Sequence, residues 1–179
     1  MQNTKTLLVY YSRAGIVFQG KPPKEIGNTK VLANYIKSLI SVDEVEIQPK
    51  EPYPDDYVKL SERALREFKN NERPELLNST FPELNHYNKI ILGYPIWNDT
   101  CPMVVNTFLE HYKEEEWKNK NIDVFVTQEG SNIANSIKDL KAKLKGAIIK
   151  EGISINGYKV GRSEGLVRNW LKEIGLLSD

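Results

Sequence analysis

Five short β-prone runs alternate with five segments of helical period along this 179-residue chain, and that order limits the fold more than any other feature. Thr6-Leu7-Leu8-Val9-Tyr10-Tyr11 is nearly continuous apolar, as a strand buried on both faces has to be. Glu44–Ile47, Lys89–Gly93, Ile122–Thr127 and a run within Ala147–Ile155 read as the other four strands. Between them, Val31, Leu32, Tyr35, Ile36, Leu39 and Ile40 fall on one face of a helix that Asn28 is placed to cap. A second helix starts at about Asp55 and buries Tyr57, Leu60, Ala64, Leu65 and Phe68. Pro102 opens a third, continued by Val104, Val105, Phe108, Leu109 and Tyr112. A fourth runs from Asn132 to about Lys145, and Ser163 caps a fifth that Gly175 ends. Strict alternation implies right-handed βαβ crossovers, hence an α/β three-layer sandwich with a five-stranded parallel sheet and helices on both faces. With no internal repeat and no linker-like stretch, residues 1–179 read as one domain.

Charge and cysteine content remove several functions. The 25 basic and 24 acidic residues leave a net charge of +1, so no basic field recruits nucleic acid or an anionic membrane. The start, Met1 to Thr6, is polar and unlike a signal peptide, and no apolar run nears the ~18 residues of a membrane span. One cysteine, Cys101, excludes an internal disulfide framework, and a cytoplasmic location is the default expectation. Cys101 at a helix start reads as a packed thiol, and His86 and His111 lack metal-ligand spacing.

In a parallel sheet the loops leaving the strand C-termini share one edge, where open α/β sheets bind ligands. Three such loops stand out. The first runs Ser12-Arg13-Ala14-Gly15, makes a detour, and returns at Gly27-Asn28-Thr29-Lys30 on a helix start. Small residues, two hydroxyls and a helix N-terminus suit an anion, although a well-capped strand–helix turn would look the same. Within the detour, Gly15-Ile16-Val17-Phe18-Gln19-Gly20-Lys21 imitates a Walker A loop. Pro22 follows where a magnesium-binding hydroxyl is needed, which rejects triphosphate hydrolysis. The second loop, Tyr94-Pro95-Ile96-Trp97-Asn98-Asp99-Thr100-Cys101, offers an aromatic for a flat ring and an Asn-Asp pair that tolerates left-handed backbone; Trp97 read as plain core is the alternative. The third, Thr127-Gln128-Glu129-Gly130-Ser131, either meets the edge of a heterocycle or caps the next helix through Ser131 or Asn132.

As an ordered set, Tyr11-Ser12-Arg13-Ala14-Gly15, Gly27-Asn28-Thr29 and Gly93-Tyr94-Pro95-Ile96-Trp97 resemble the flavodoxin-like family, in particular its small bacterial branch. Pro52-Tyr53-Pro54-Asp55-Asp56-Tyr57, Cys101-Pro102-Met103 and Gly152-Ile153-Ser154-Ile155-Asn156-Gly157 extend the likeness over essentially the whole chain. The resemblance implies strand order 2-1-3-4-5 and non-covalently bound flavin mononucleotide (FMN). Ser12, Arg13, Ala14, Gly27, Asn28 and Thr29 would lie around the phosphate, Pro95, Ile96, Trp97, Asn98 and Asp99 beside the isoalloxazine, and Gln128, Glu129, Gly130 and Ser131 at its pyrimidine side. Three departures accompany it: the detour interrupts the phosphate loop, Asn98-Asp99 stands where many members carry Trp-Gly, and Glu129 replaces a usual small residue.

The resemblance implies redox work, with FMN supplying the chemistry and carboxylates such as Asp99 or Glu129 disfavouring an anionic reduced ring. Electron transfer to a redox partner protein is the leading expectation, although electron-shuttling flavodoxins are typically strongly acidic and this chain is not. The rival is an NAD(P)H-dependent FMN oxidoreductase acting on a quinone or similar small-molecule acceptor, a class often built as a homodimer. A flavin-free binding module that kept the fold is the third.

Overall fold

The computed structural model describes residues 5–16 and 18–178. Val17 of the Walker-like stretch, the polar residues 1–4 and residue 179 lie outside that range. Five parallel strands, β1 (Lys5–Tyr10), β2 (Asp43–Glu46), β3 (Tyr87–Pro95), β4 (Asn121–Gln128) and β5 (Ile148–Asn156), form one sheet in the order β2-β1-β3-β4-β5. In register, Val9 lies beside Val45 and Leu92, and Leu92 beside Val124, so apolar residues of three central strands meet in one layer. The helices are α1 (Asn28–Leu39), α2 (Tyr57–Lys69), α3 (Met103–Leu109), α4 (Ala134–Lys143) and α5 (Glu164–Glu173).

Period-two alternation along β1 sends side chains to two cores. Leu7 and Val9 join Leu60, Val104, Val105, Phe108, Ile137 and Leu140 under α2, α3 and α4. Leu8 and Tyr10 join Leu32, Ala33, Ile36, Val167, Trp170 and Leu171 under α1 and α5. β1 is covered on both faces, which is why it reads as a continuous apolar run rather than an alternating one.

Several local expectations need correction. Gly27, not Asn28, is the N-cap of α1, and no side chain caps it there; Asn28 is the first helical residue. Ser12 Oγ instead accepts the Lys30 amide at 3.0 Å, so a first-turn N–H is served from the end of β1. Ser163 is the N-cap of α5, but its hydroxyl turns back to donate to the Val160 carbonyl at 2.7 Å. Helix α2 starts later than expected, at Tyr57, because Asp56 caps it by accepting the Lys59 amide at 2.9 Å. Its inner face carries Leu60, Ala64 and Glu67, while Leu65 and Phe68 are exposed. Glu67 takes the inward place instead of that apolar pair because two polar partners wait for it, as described below.

The irregular stretch between α2 and β3 is tied down by charge. Arg73 grips Glu110 through two bonds of 2.7 and 2.8 Å, and Lys143 of α4 reaches the same carboxylate at 2.5 Å. The Arg73 hydrogen bond foremost, then Lys143, hold the Glu110 carboxyl down at about 2. A carboxyl depressed in the folded state stabilises above the ordinary carboxylate range and loses that contribution as pH falls toward about 2. The acid limb of a denaturation series is therefore expected to be shallower in Glu110→Gln than in wild type; identical limbs would show that the network is silent.

Candidate functional site

A cleft of about 260 Å³ opens at the C-terminal edge of the sheet, where the loops after β1, β3 and β4 converge. The doubly wound order reverses between β1 and β3, and ligand sites of such sheets lie at that point.

One end of the cleft is the N-terminus of α1. Asn28 and Thr29 line it and are buried, with Thr29 1% exposed. The amides of the first turn have no intrahelical partner, and the helix dipole adds positive potential there. Ser12 Oγ accepts from Lys30 N, which leaves its own hydrogen free to donate. Thr29 Oγ1 lies 2.8 Å from Thr127 Oγ1, so one hydroxyl of the pair keeps a hydrogen for a ligand. Gly27 lies directly against the end of β1: a Cβ there would run into Ser12 Oγ and the Arg13 carbonyl, with Arg13 C at 2.6 Å. The close approach of strand and helix that forms this cradle requires glycine.

The detour does not break the cradle. Gly15 and Lys24 pair across its base, with Gly15 N to Lys24 O at 2.7 Å and Lys24 N to Gly15 O at 2.9 Å. The insertion is thus pinched off, and its two ends return to each other beside α1. Arg13 does not hold its charge open for a ligand. Its guanidinium donates to the Ile16 carbonyl at 2.7 Å, to Pro54 O, and to Asp55 O at 3.2 Å, stapling the detour to the β2–α2 connection. Burial is the main influence on that group and lowers its basicity.

The other end is aromatic. Trp97 N and Thr100 N bond reciprocally to Thr100 O and Trp97 O at 3.0 Å, closing a tight turn with Asn98 at φ 51° and Asp99 at φ 59°. Positive φ at both central positions is the type I′ pattern, which Asn and Asp tolerate better than other side chains. Thr100 Oγ1 donates to Asp139 Oδ2 at 2.7 Å, which braces the turn from α4. The half-buried Trp97 ring packs edge-on to Tyr53 at 5.0 Å and Tyr11 at 5.5 Å. Tyr53 is fixed in turn: its hydroxyl donates to Glu67 Oε2 at 2.6 Å, and the Arg63 guanidinium stands 4.1 Å over its ring while Arg63 Nε reaches Glu67 Oε1 at 2.8 Å. Trp97 is therefore both packed from behind and open to the cleft.

Of the residues marked in the sequence, Ser12, Arg13, Asn28, Thr29, Pro95, Ile96, Trp97, Asn98, Gln128, Glu129 and Ser131 line the cleft together. Ala14, Gly27, Asp99 and Gly130 do not line it: Gly27 is buried beneath Ser12, while Ala14, Asp99 and Gly130 face solvent. Sequence reasoning missed a whole wall, made by Phe18 of the detour and by Tyr57, Leu60, Ser61 and Ala64 of α2; Thr127, which opens the third loop, lines the cleft as well. Phe18 and Tyr57 meet edge-on at 6.3 Å. The signal was the apolar face of α2, which looked like ordinary core. Cys101 lies behind the turn, buried, with its thiol pushed up to about 12 chiefly by desolvation, as in a packed thiol. No group of three or more potential metal ligands occurs among the described residues, and no helix among them is long and apolar enough to cross a membrane.

The flavodoxin family model matches residues 24–174. The chain belongs to the flavodoxin family. Among solved structures, this chain is similar to a candidate flavoprotein from Bacteroides eggerthii DSM 20697, at 28% identity and a TM-score of 0.73, with 96% of this chain and 98% of that one covered. A second candidate flavoprotein, from Bacteroides uniformis ATCC 8492, aligns at 27% identity and 0.70 over 94% and 97%. A flavoprotein from Lactobacillus acidophilus NCFM in complex with FMN shares the fold at 21% identity and 0.63, over 89% and 97%. No curated protein matches this chain significantly.

Proposed function

We propose that the protein binds FMN non-covalently in this cleft and serves as an electron carrier. The observation that carries the reading is the pairing of an α1 N-terminus whose N-cap, Gly27, brings no side chain at one end of the cleft with a braced, half-buried Trp97 at the other. The first suits a phosphate, the second a flat ring. The residues fit the group: the Gly27 cradle leaves no room for a Cβ, and Ser12 has a hydroxyl hydrogen to give. The FMN-bound relative of the same fold supports this choice of ligand.

When bound, FMN supplies the capacity to take and pass on one or two electrons. Ser12, the first-turn amides of α1 and the Thr29–Thr127 pair hold the phosphate. Trp97 covers the ring and excludes water from one face. Gln128 and Glu129 border the pyrimidine side. Desolvation by its neighbours pushes the Glu129 carboxyl up, against the pull of Lys24 and Lys21.

A second reading is hydride transfer from a nicotinamide nucleotide through FMN to a quinone-like acceptor. The apolar wall of Phe18, Tyr57, Leu60 and Ala64 favours it, since this surface lies beyond the residues the cofactor itself calls for. Titrating apo protein with FMN is expected to quench flavin emission, and Trp97→Ala to weaken binding about tenfold to a hundredfold while emission persists. No binding by wild type would overturn both readings. Rapid turnover with NADH or NADPH would replace the first by the second.

A further inference from the structure

The detour between Gly15 and Gly27 brings a cation to the cofactor end of the cleft. After pairing with Gly15, Lys24 turns its side chain toward α1 and the end of β5. Its ammonium donates to Asn28 Oδ1 and, at 3.0 Å, to the carbonyl of Gly157. Asn28 is buried and lines the cleft. Glu129, from the loop after β4, packs its carboxylate over Gly157 beside the Asn28 amide: a Cβ on Gly157 would collide with Glu129 Oε1 and stand 2.5 Å from Asn28 Nδ2. The detour, the start of α1, the loop after β4 and the end of β5 thus meet here, bringing together a cation, an amide, a carboxylate and a backbone carbonyl.

This cluster answers a conflict in the proposed site. FMN is an anion, and the cleft that would hold it is lined by a carboxylate, that of Glu129. A carboxylate beside an anionic ligand costs binding energy unless an opposite charge stands nearby. We propose that Lys24 is a positioning residue that supplies this opposite charge: it holds Asn28 at the cleft and offsets Glu129, so that the site accepts a negatively charged cofactor. The proposal rests on the FMN reading above. It also gives the detour a role, since Lys24 belongs to it.

The charges acting on Glu129 are known from each element around it. The detour contributes Lys24 and Lys21, which favour the ionised carboxylate; α1 contributes the neutral amide of Asn28, and the end of β5 the Gly157 backbone. Desolvation opposes the two lysines and is the larger influence. Losing Lys24 would leave desolvation less opposed.

Two readouts test this. In apo protein, the Glu129 carboxyl is followed by carbon-detected NMR against pH in wild type and in Lys24→Met. Its titration is expected to move upward in the variant, and an unmoved titration would overturn the charge coupling. In FMN titrations at neutral pH, K24M is expected to weaken binding on the order of tenfold. K24R is expected to retain affinity, and adding Glu129→Gln to K24M to restore most of it. A K24M loss that E129Q leaves untouched would reduce Lys24 to a tether and sink the proposal. If wild type takes up no FMN, the cofactor reading falls, while the apo titration still decides whether Lys24 and Glu129 are coupled.

Discussion

Arg63→Ala is expected to destabilise the protein by about 3–5 kcal/mol, the range for breaking one side of a buried ion pair. Glu67 is 2% exposed and its carboxylate has two partners, Arg63 Nε at 2.8 Å and the Tyr53 hydroxyl at 2.6 Å. Without the guanidinium, the charge stays in the core with one neutral donor. Arg63 also ties down the chain before α2, donating to Pro52 O at 2.9 Å and Glu51 O at 3.1 Å. Its loss frees Tyr53 and with it the ring behind Trp97, so FMN affinity should fall together with stability. Urea denaturation measures the first effect and FMN titration the second. Adding Glu67→Gln to Arg63→Ala should recover part of the loss. A double variant no better than the single would show that lost packing, not a stranded charge, is the cause.

Gly27→Ala is expected to weaken FMN binding a hundredfold or more and to cost about 1–3 kcal/mol of stability, the usual range for forcing extra volume into a packed place. The cause is steric rather than conformational, since Gly27 has φ −64° and ψ 148°, which alanine adopts freely. The added methyl would meet Ser12 Oγ and the Arg13 backbone, and backbone cannot step aside as a side-chain tip can. The strand and helix would have to part, carrying Ser12 away from the first-turn amides of α1. Calorimetric titration with FMN and with riboflavin separates the effects: the FMN loss should exceed the riboflavin loss, because the damage lies at the phosphate end. Equal losses would place the phosphate elsewhere.

The sequence by itself determined the layers, the strand count and the sheet edge at which the cleft opens. Burial on both faces leaves an apolar signature such as Leu7 to Tyr10, and the chirality of βαβ units allows few ways to join such strands. The turn at Asn98-Asp99 was legible for a similar reason, since few side chains tolerate left-handed backbone. Helix termini were less legible. Asn28 and Ser163 have the chemistry of caps, yet the cap of α1 is Gly27 and the hydroxyl of Ser163 turns to Val160, because neighbouring segments offered other partners. The inward turn of Glu67 was hidden because hydrophobic periodicity assumes that charge faces water, and only Arg63 and Tyr53, brought there by the fold, make the inward place affordable. The tertiary structure alone decided that Arg13 is a staple, that Phe18 and α2 wall the cleft, and that Lys24, Asn28 and Glu129 meet. Those contacts join residues as far as 133 positions apart, as Lys24 and Gly157 are, and no local period or spacing encodes a meeting that depends on where separate segments close.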